Sequence, residues 1–192
     1  RPSNPYASSK LKLEKHLLSQ IKNKRINCVI LRYFNVAGAD TKLRTGLIDK
    51  KSTHLIKVAC EVATKKREVL IVNGKNYRTK DGSPIRDFIH VVDLANLHIS
   101  VLKNLINKKK SSILNCGYGK GYTVLEIIKA FDKALKIRLP YRIGKRRSGD
   151  LEEVVANVEK IKKKFSWKPR FNDLNTIIKS AYYWEKKNKS NF

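Results

Sequence analysis

Methionine is absent from the 192 residues, even at position 1, so the chain reads as a piece of a longer translation product whose start lies upstream. Cysteine is scarce, with only Cys28, Cys60 and Cys116. Their wide separation excludes the short spacing of a zinc site, and an odd count in apolar surroundings points to reduced core residues of a cytoplasmic protein. Long apolar runs are missing as well. None approaches the ~18 residues of a membrane span, and no basic start followed by an apolar stretch suggests a signal peptide. Acidic residues are few: 16 Asp and Glu stand against 43 Lys and Arg, a formal net charge of +27.

The remaining composition is globular, 41% hydrophobic and 31% charged, and the length suffices for one large or two small domains with an ample core. So basic a balance raises the question of nucleic acid, because cations that neutralise phosphates release counterions. Lysine supplies 31 of the 43 basic residues, however, and is spread over the whole chain. Short runs at 65–67, 108–110 and 162–164 fall where helices should end, where cations suit the helix dipole. No helix-turn-helix, zinc-finger or RNA-binding signature accompanies them. The excess reads as a solvated face, with weak, salt-sensitive attraction to polyanions and no specific nucleic-acid partner.

Helix-period and strand-like segments alternate. Leu13, Leu17, Leu18 and Ile21 recur at helical spacing over residues 5–24, and residues 28–33 form a short apolar run suited to a buried parallel strand. A loop over 35–51 leads to a helix over 53–66, a strand over 69–72 and a turn-rich stretch over 73–84. Residues 85–91 read as extended, and Asp93 is expected to begin a helix carrying Leu94, Leu97, Val101, Leu102 and Leu105. A strand over 113–116 is expected to end at Gly117, Gly119 and Gly121. Thr123 stands three residues before Glu126, a capping box, ahead of Val124, Ile128, Phe131 and Leu135 on one helix face. Helices over 157–164 and 173–187 flank a break at Ser166-Trp167-Lys168-Pro169. The pattern is α/β with a mostly parallel sheet.

Near the start stands Asn4-Pro5-Tyr6-Ala7-Ser8-Ser9-Lys10. Pro5 sets a helix start and places Tyr6 and Lys10 one turn apart on the same face. A phenol with an ordinary pKa of about 10 is a poor base near neutrality, and a nearby ammonium favours its ionised form. Moving a phenol from about 10 to about 7 takes roughly 4 kcal/mol, at ~1.36 per unit, which a buried amine and a second cation could supply together and one exposed ion pair could not. Taken alone, the pair has a plain alternative: two surface neighbours on a helix.

Further residues decide between these. Leu31-Arg32-Tyr33-Phe34-Asn35-Val36-Ala37-Gly38-Ala39 leaves a strand and turns through small residues. Asn76-Tyr77-Arg78-Thr79-Lys80-Asp81-Gly82 then precedes Arg86-Asp87-Phe88-Ile89-His90-Val91-Val92-Asp93-Leu94. With Asn115-Cys116-Gly117-Tyr118-Gly119, Arg146-Arg147-Ser148-Gly149-Asp150 and Trp167-Lys168-Pro169, these resemble the extended short-chain dehydrogenase/reductase superfamily. Within it they resemble the UDP-glucose 4-epimerases, over essentially the whole chain. The Tyr-x-x-x-Lys spacing marks only the superfamily. The Asn-x-Tyr-x-Thr-x-Asp-Gly stretch before Arg86-Asp87 favours epimerases over sugar-nucleotide dehydratases and decarboxylases.

The resemblance implies the C-terminal part of an NAD-binding Rossmann-like sheet over residues 1–36, and a smaller α/β domain binding the UDP-sugar over 37–192, some of whose segments return to the NAD domain. It implies interconversion of UDP-glucose and UDP-galactose at C4 with enzyme-bound NAD, through a 4-keto intermediate that turns over in the pocket, in a homodimer. By this likeness Tyr6 is the general acid/base, Lys10 lowers its pKa and holds the nicotinamide ribose, and Phe34 contacts the nicotinamide end of NAD. Asn35 would bind the sugar nucleotide near its phosphates. Further substrate contacts fall at His54 and Leu55, at Ile71, Val72 and Asn73 beside the uracil, and at Arg86, Arg147 and Asp150.

Two guanidinium forks suit a diphosphate, and a carboxylate suits a ribose hydroxyl, although a solvated surface charge is the ordinary fate of an arginine here. Val154 occupies a position lining the sugar pocket, where a small residue leaves room for an N-acetyl group. His90, inside an extended apolar run, reads as a satisfied core histidine. The family's glycine-rich phosphate turn, its acidic adenosine-ribose partner and the Ser or Thr assisting the tyrosine have no counterpart here. Gly117 to Gly121 lack the G-x-G-x-x-G spacing. These residues alone are therefore expected to bind NAD poorly and to lack epimerase activity.

Overall fold

The computed structural model describes residue 2 and residues 4–49, 51–165 and 167–188. Helix α1 (Pro5–Lys22) starts as the sequence predicts: Asn4 is extended, its side chain accepts from Ala7 N at 2.8 Å, and Pro5 occupies the first turn, where a missing N–H costs nothing. Strands β1 (Val29–Tyr33) and β2 (Asn35–Ala37) follow with one residue between them. Next come α2 (Leu55–Ala63), β3 (Leu70–Asn73), β4 (Ile85–His90), α3 (Val91–Lys108), β5 (Ser112–Cys116) and β6 (Gly121–Thr123). The chain continues through α4 (Val124–Leu135), β7 (Tyr141–Gly144), β8 (Glu153–Val154), α5 (Glu159–Phe165) and α6 (Leu174–Lys187).

Among the described residues, pairing is parallel in β1–β5, β2–β4, β3–β7 and β4–β8, and antiparallel only in β4–β6. Strand β4 is the hub. Its Ile85–Asp87 half lies against β6 and β8, and its Phe88–His90 half against β2. Successive residues of a strand face opposite ways, so β4 feeds two cores. Phe88 joins Ile56, Val62, Leu70, Ile127, Phe131 and Ile178 from α2, β3, α4 and α6. Ile89 joins Leu94, Leu97, Leu114 and Ile161 from α3, β5 and α5.

His90 is fully buried and satisfied, as its setting in the sequence implies. Its Nδ1 accepts from Val92 N at 3.2 Å, so Nε2 carries the proton toward Ser180 Oγ at 3.1 Å. This side-chain cap starts α3 at Val91, two residues before the expected Asp93. The capping box of α4 forms as read, with Glu126 N donating to Thr123 Oγ1 at 3.0 Å and Thr123 N to Glu126 Oε2 at 2.9 Å.

Other expectations are corrected. The loop over 35–51 contains β2, because Asn35–Ala37 pair with Phe88–His90. Gly121 begins β6, while Gly117 and Gly119 make a turn ahead of it. Strands β7 and β8 are too short and too exposed for periodicity to register. Leu102 of α3 is exposed, as are Leu13 and Leu18 of α1, a helix that buries none of its residues in this chain. Cys60 and Cys116 are buried and Cys28 is only half-buried; all three thiols are free. Of the expected break, Trp167 to Pro169 are non-helical, and Ser166 lies outside the described residues. Among the described residues, no helix is long and apolar enough to cross a membrane.

Candidate active site

Strands β1 and β5 end side by side at Tyr33 and Cys116. An open cleft of about 510 Å³ lies at these ends, walled by Arg32, Tyr33, Phe34, Asn35, Arg86, Asn115 and Val154. Four residues singled out from sequence, Phe34, Asn35, Arg86 and Val154, thus meet in one place. The sheet explains why. Arg86 and Val154 are direct partners across β4 and β8, and Asn35 is paired to Phe88 while its Nδ2 donates to Asp87 O at 3.0 Å.

Arg86 is fixed from behind. Its Nη1 donates to Ile85 O at 2.7 Å, and its Nη2 makes an ion pair with the Asp150 carboxylate. The second Asp150 oxygen accepts from Tyr77 Oη at 3.3 Å. A carboxylate has four lone-pair sites, so Asp150 retains acceptor capacity for a further donor. Arg147 lies in the same turn as Asp150, whose N donates to Arg147 O at 3.3 Å. With the Asn73 amide turned to satisfy both partners, Asn73 accepts from Arg147 Nη2 at 3.2 Å and Nε at 3.3 Å. Asn73, Arg147, Asp150 and Arg86 therefore form one linked polar rim.

Tyr6 and Lys10 occupy the first turns of α1, with Lys10 Nζ 5.3 Å from the centre of the Tyr6 ring. Tyr6 is 72% exposed and does not wall the cleft. The link between them is Glu14, another four residues along the same face. Its carboxylate takes Arg32 in a fork, with Nε to Oε2 at 2.8 Å and Nη2 to Oε1, tying that face of α1 to the cleft wall. These hydrogen bonds hold the Glu14 carboxyl below its ordinary value despite partial burial.

His54 and Leu55 line a second, mostly apolar pocket of about 370 Å³, which Asn35 also borders. Ile71 is exposed, whereas Val72 is completely buried in the first core, so any ligand contact at Val72 must use its main chain. Burial pushes the Cys116 thiol up to about 12 and the Cys60 thiol higher still, which removes both from nucleophilic chemistry near neutrality. Among the described residues, no group of three or more His, Cys, Asp or Glu could hold a metal ion.

Several residues that build the site escape sequence reasoning. Glu14 carries no signal of its own in the sequence, Arg32 reads as part of the strand over 28–33, and Asn115 as part of the strand over 113–116. Asp87 is fully buried, and its carboxylate accepts from Tyr118 N at 3.0 Å, Gly119 N at 2.8 Å and Ala156 N at 3.2 Å. Gly117 is required there because a Cβ would stand 2.5 Å from Asp87 Oδ2. Only the adjacency of Asp87 to Arg86, with a glycine-bearing turn downstream, hints at this clamp.

Parallel strands with a polar cleft at their carboxyl ends are the architecture of nucleotide-binding α/β proteins. Within that class, the chain belongs to the NAD dependent epimerase/dehydratase family, whose model matches residues 1–117. It is 41% identical over 185 residues to a UDP-glucose 4-epimerase of Azospirillum brasilense, covering 96% of this chain and 53% of that one. It is similar to the structure of UDP-glucose 4-epimerase from Bifidobacterium longum in complex with NAD+ and UDP, at 36% identity and a TM-score of 0.91, covering 98% of this chain and 56% of that one. The UDP-Glc/GlcNAc 4-epimerase of Campylobacter jejuni is 41% identical with a TM-score of 0.74, over 96% of this chain and 56% of that one. The chain thus spans about half the length of the relatives it matches.

Proposed function

We propose that this chain carries the acid/base pair and most of the sugar-nucleotide pocket of an NAD-dependent UDP-hexose 4-epimerase that interconverts UDP-glucose and UDP-galactose. The observation that carries this reading is the cleft at the β1–β5 ends, where Phe34, Asn35, Arg86 and Val154 converge and to which Glu14 and Arg32 tie the Tyr6–Lys10 face of α1. The epimerase relatives, all three named for UDP-sugar epimerisation and one of them crystallised with NAD+ and UDP, support it.

The donor set fits a nicotinamide dinucleotide: an exposed phenol and ammonium one turn apart for its ribose and ring, and Phe34 at the cleft wall. When bound, NAD supplies a reversible hydride acceptor for C4 of the hexose. Tyr6 takes and returns the proton of the C4 hydroxyl, and Lys10, one turn along the same face, holds the nicotinamide ribose. Arg86 and Arg147 bind the diphosphate, Asp150 a ribose hydroxyl, Asn35 the nucleotide near its phosphates, and His54 and Leu55 contact the substrate from the adjoining pocket. Exposed Ile71, the main chain of Val72, and Asn73 flank the base. Val154 bounds the sugar.

The two cores support a division in which residues 1–36, with α3, β5 and α5, belong to the NAD-binding part, and most of residues 37–192 to the substrate part. A homodimer is consistent with α1, which exposes Leu13 and Leu18. Three free thiols suit a reducing cytoplasm. The test is Tyr6→Phe in the intact protein with UDP-galactose. Loss of one general acid/base should lower kcat by about a hundredfold or more while UDP affinity is kept. Turnover at the wild-type rate refutes the assignment; a wild-type product lighter by water, or release of carbon dioxide from UDP-glucuronate, replaces epimerisation by dehydration or decarboxylation.

A further inference from the structure

Tyr77 is only 4% exposed, yet it sits in the polar loop over 74–84 between β3 and β4. That loop is braced on itself and on the start of α4. Tyr77 N donates to Gly82 O at 3.0 Å, and Thr79 Oγ1 to Ser83 O at 2.7 Å. Ser83 N and Oγ bond Asp81 Oδ1 at 2.9 and 2.7 Å, Thr123 Oγ1 donates to Asp81 Oδ2 at 2.5 Å, and Leu125 N donates to Ser83 Oγ at 3.2 Å. A side chain mounted on such a loop has a defined position.

The Tyr77 ring is covered by the Arg146 guanidinium, 4.0 Å from its centre, and Arg146 Nη2 also donates to Asp150 O at 3.3 Å. The Tyr77 hydroxyl donates to Asp150 Oδ2, and the other Asp150 oxygen holds Arg86. Burial, and then the Asp150 carboxylate, hold the phenol above its ordinary value, so it remains a donor. We propose that Tyr77 is a positioning residue for the diphosphate clamp: it fixes Asp150, which fixes Arg86 over the cleft before the nucleotide arrives. This rests on reading the cleft as a UDP-hexose site. An arginine already held in one rotamer forfeits less side-chain freedom when it takes a phosphate, which is how an uncharged hydroxyl that does not wall the cleft can strengthen binding.

The test compares wild type, Tyr77→Phe, Asp150→Asn and the double variant of the intact protein, by calorimetric UDP binding, steady-state kinetics and melting. Tyr77→Phe keeps the ring and the Arg146 stack and deletes one hydrogen bond. We expect UDP affinity to fall about three- to tenfold and KM to rise in step, with kcat within about twofold of wild type. The double variant should bind no more weakly than Asp150→Asn alone. Unchanged UDP affinity in Tyr77→Phe, or losses that multiply in the double variant, overturn the proposal. So does a lowered melting temperature with unchanged affinity, the mark of a merely structural tyrosine. Weakened UDP binding by Tyr77→Phe in a protein that does not epimerise its sugars sinks the proposed activity and leaves the clamp standing. A wild type that binds no UDP sinks both.

Discussion

Replacing Asp87 by asparagine tests the frame beneath the site with almost no change of shape. The carboxylate, fully buried, receives three main-chain N–H groups, one on Oδ1 and two on Oδ2. An amide has one acceptor oxygen. In its best orientation that oxygen faces Gly119 N and Ala156 N, and the amide nitrogen is left confronting the N–H of Tyr118, donor against donor. One charge-assisted bond is lost outright, at about 1.5–3 kcal/mol, and the two that survive become ordinary neutral bonds, so the total should be about 2–5 kcal/mol. The shift per kcal/mol shrinks as a chain lengthens and is about 2–4 °C at 150–250 residues, so the midpoint of the longer intact protein should fall by several degrees. Thermal and urea unfolding of the intact protein measure this against Asp132→Asn, an exposed carboxylate on α4, which should change stability by no more than about 0.5 kcal/mol. If Asp87→Asn melts within a degree of that control, the three amides are not held by charge and the account of the turn is wrong.

Three other outcomes follow from the packing and the site. Glu185, only 1% exposed, joins α6 to α2 by taking Lys57 Nζ at 2.6 Å and Lys66 Nζ at 2.5 Å. Glu185→Gln should cost about 2–4 kcal/mol in urea unfolding at neutral pH, the lower side of a broken buried pair because Glu61 still faces Lys57 at 3.2 Å. Burial pulls the Glu185 carboxyl up, but the two ammonium groups outweigh it and leave it below its ordinary value. Its contribution is therefore complete above the unfolded pKa of about 4.3 and fades as pH falls through the lower folded value, so wild type and variant should converge in acid and stay apart from pH 5 to 8. A gap that widens in acid contradicts the pairing. Native alkylation with iodoacetamide, followed by peptide mass spectrometry, should mark half-buried Cys28 well before Cys60 and Cys116; equal rates would show that the two cores open readily. Finally, the intact protein should turn over UDP-N-acetylglucosamine, and Val154→Tyr should abolish that activity while sparing UDP-glucose. No turnover by the wild type ends this reading of the Val154 wall.

The order of elements was legible because its signals are local. The Asn4-Pro5 start of α1, the Thr123–Glu126 capping box and the apolar runs at β1 and β5 each depend on a few neighbouring residues. Convergence of Phe34, Asn35, Arg86 and Val154 came from resemblance, not from spacing, since pairing across β4 and β8 joins residues far apart in the chain. Strand β2 hid inside an expected loop because three residues carry no period. The early start of α3 hid because an imidazole cap at His90 resembles any buried histidine. Tyr77 and Asp87 were unreadable for a deeper reason: each works by holding another residue still, and a sequence shows what a side chain can bond, not what needs bonding to it.

Strand β4 shows how closely site and scaffold are bound together. Arg86 turns toward the cleft and Asp87 turns the other way onto three amides. Phe88 enters one core, Ile89 the other, and His90 caps α3. Because side chains alternate, slipping this strand by one residue would bury the guanidinium among main-chain donors and present a carboxylate to the proposed phosphate site. Both exchanges are electrostatically unfavourable, so the residues that serve ligand binding also specify the register that folds the chain. The Arg86-Asp87 pair is then selected twice by physics, once for the anion contact proposed for Arg86 and once for the strand alignment, and substitution of either residue should be read in binding and in stability together.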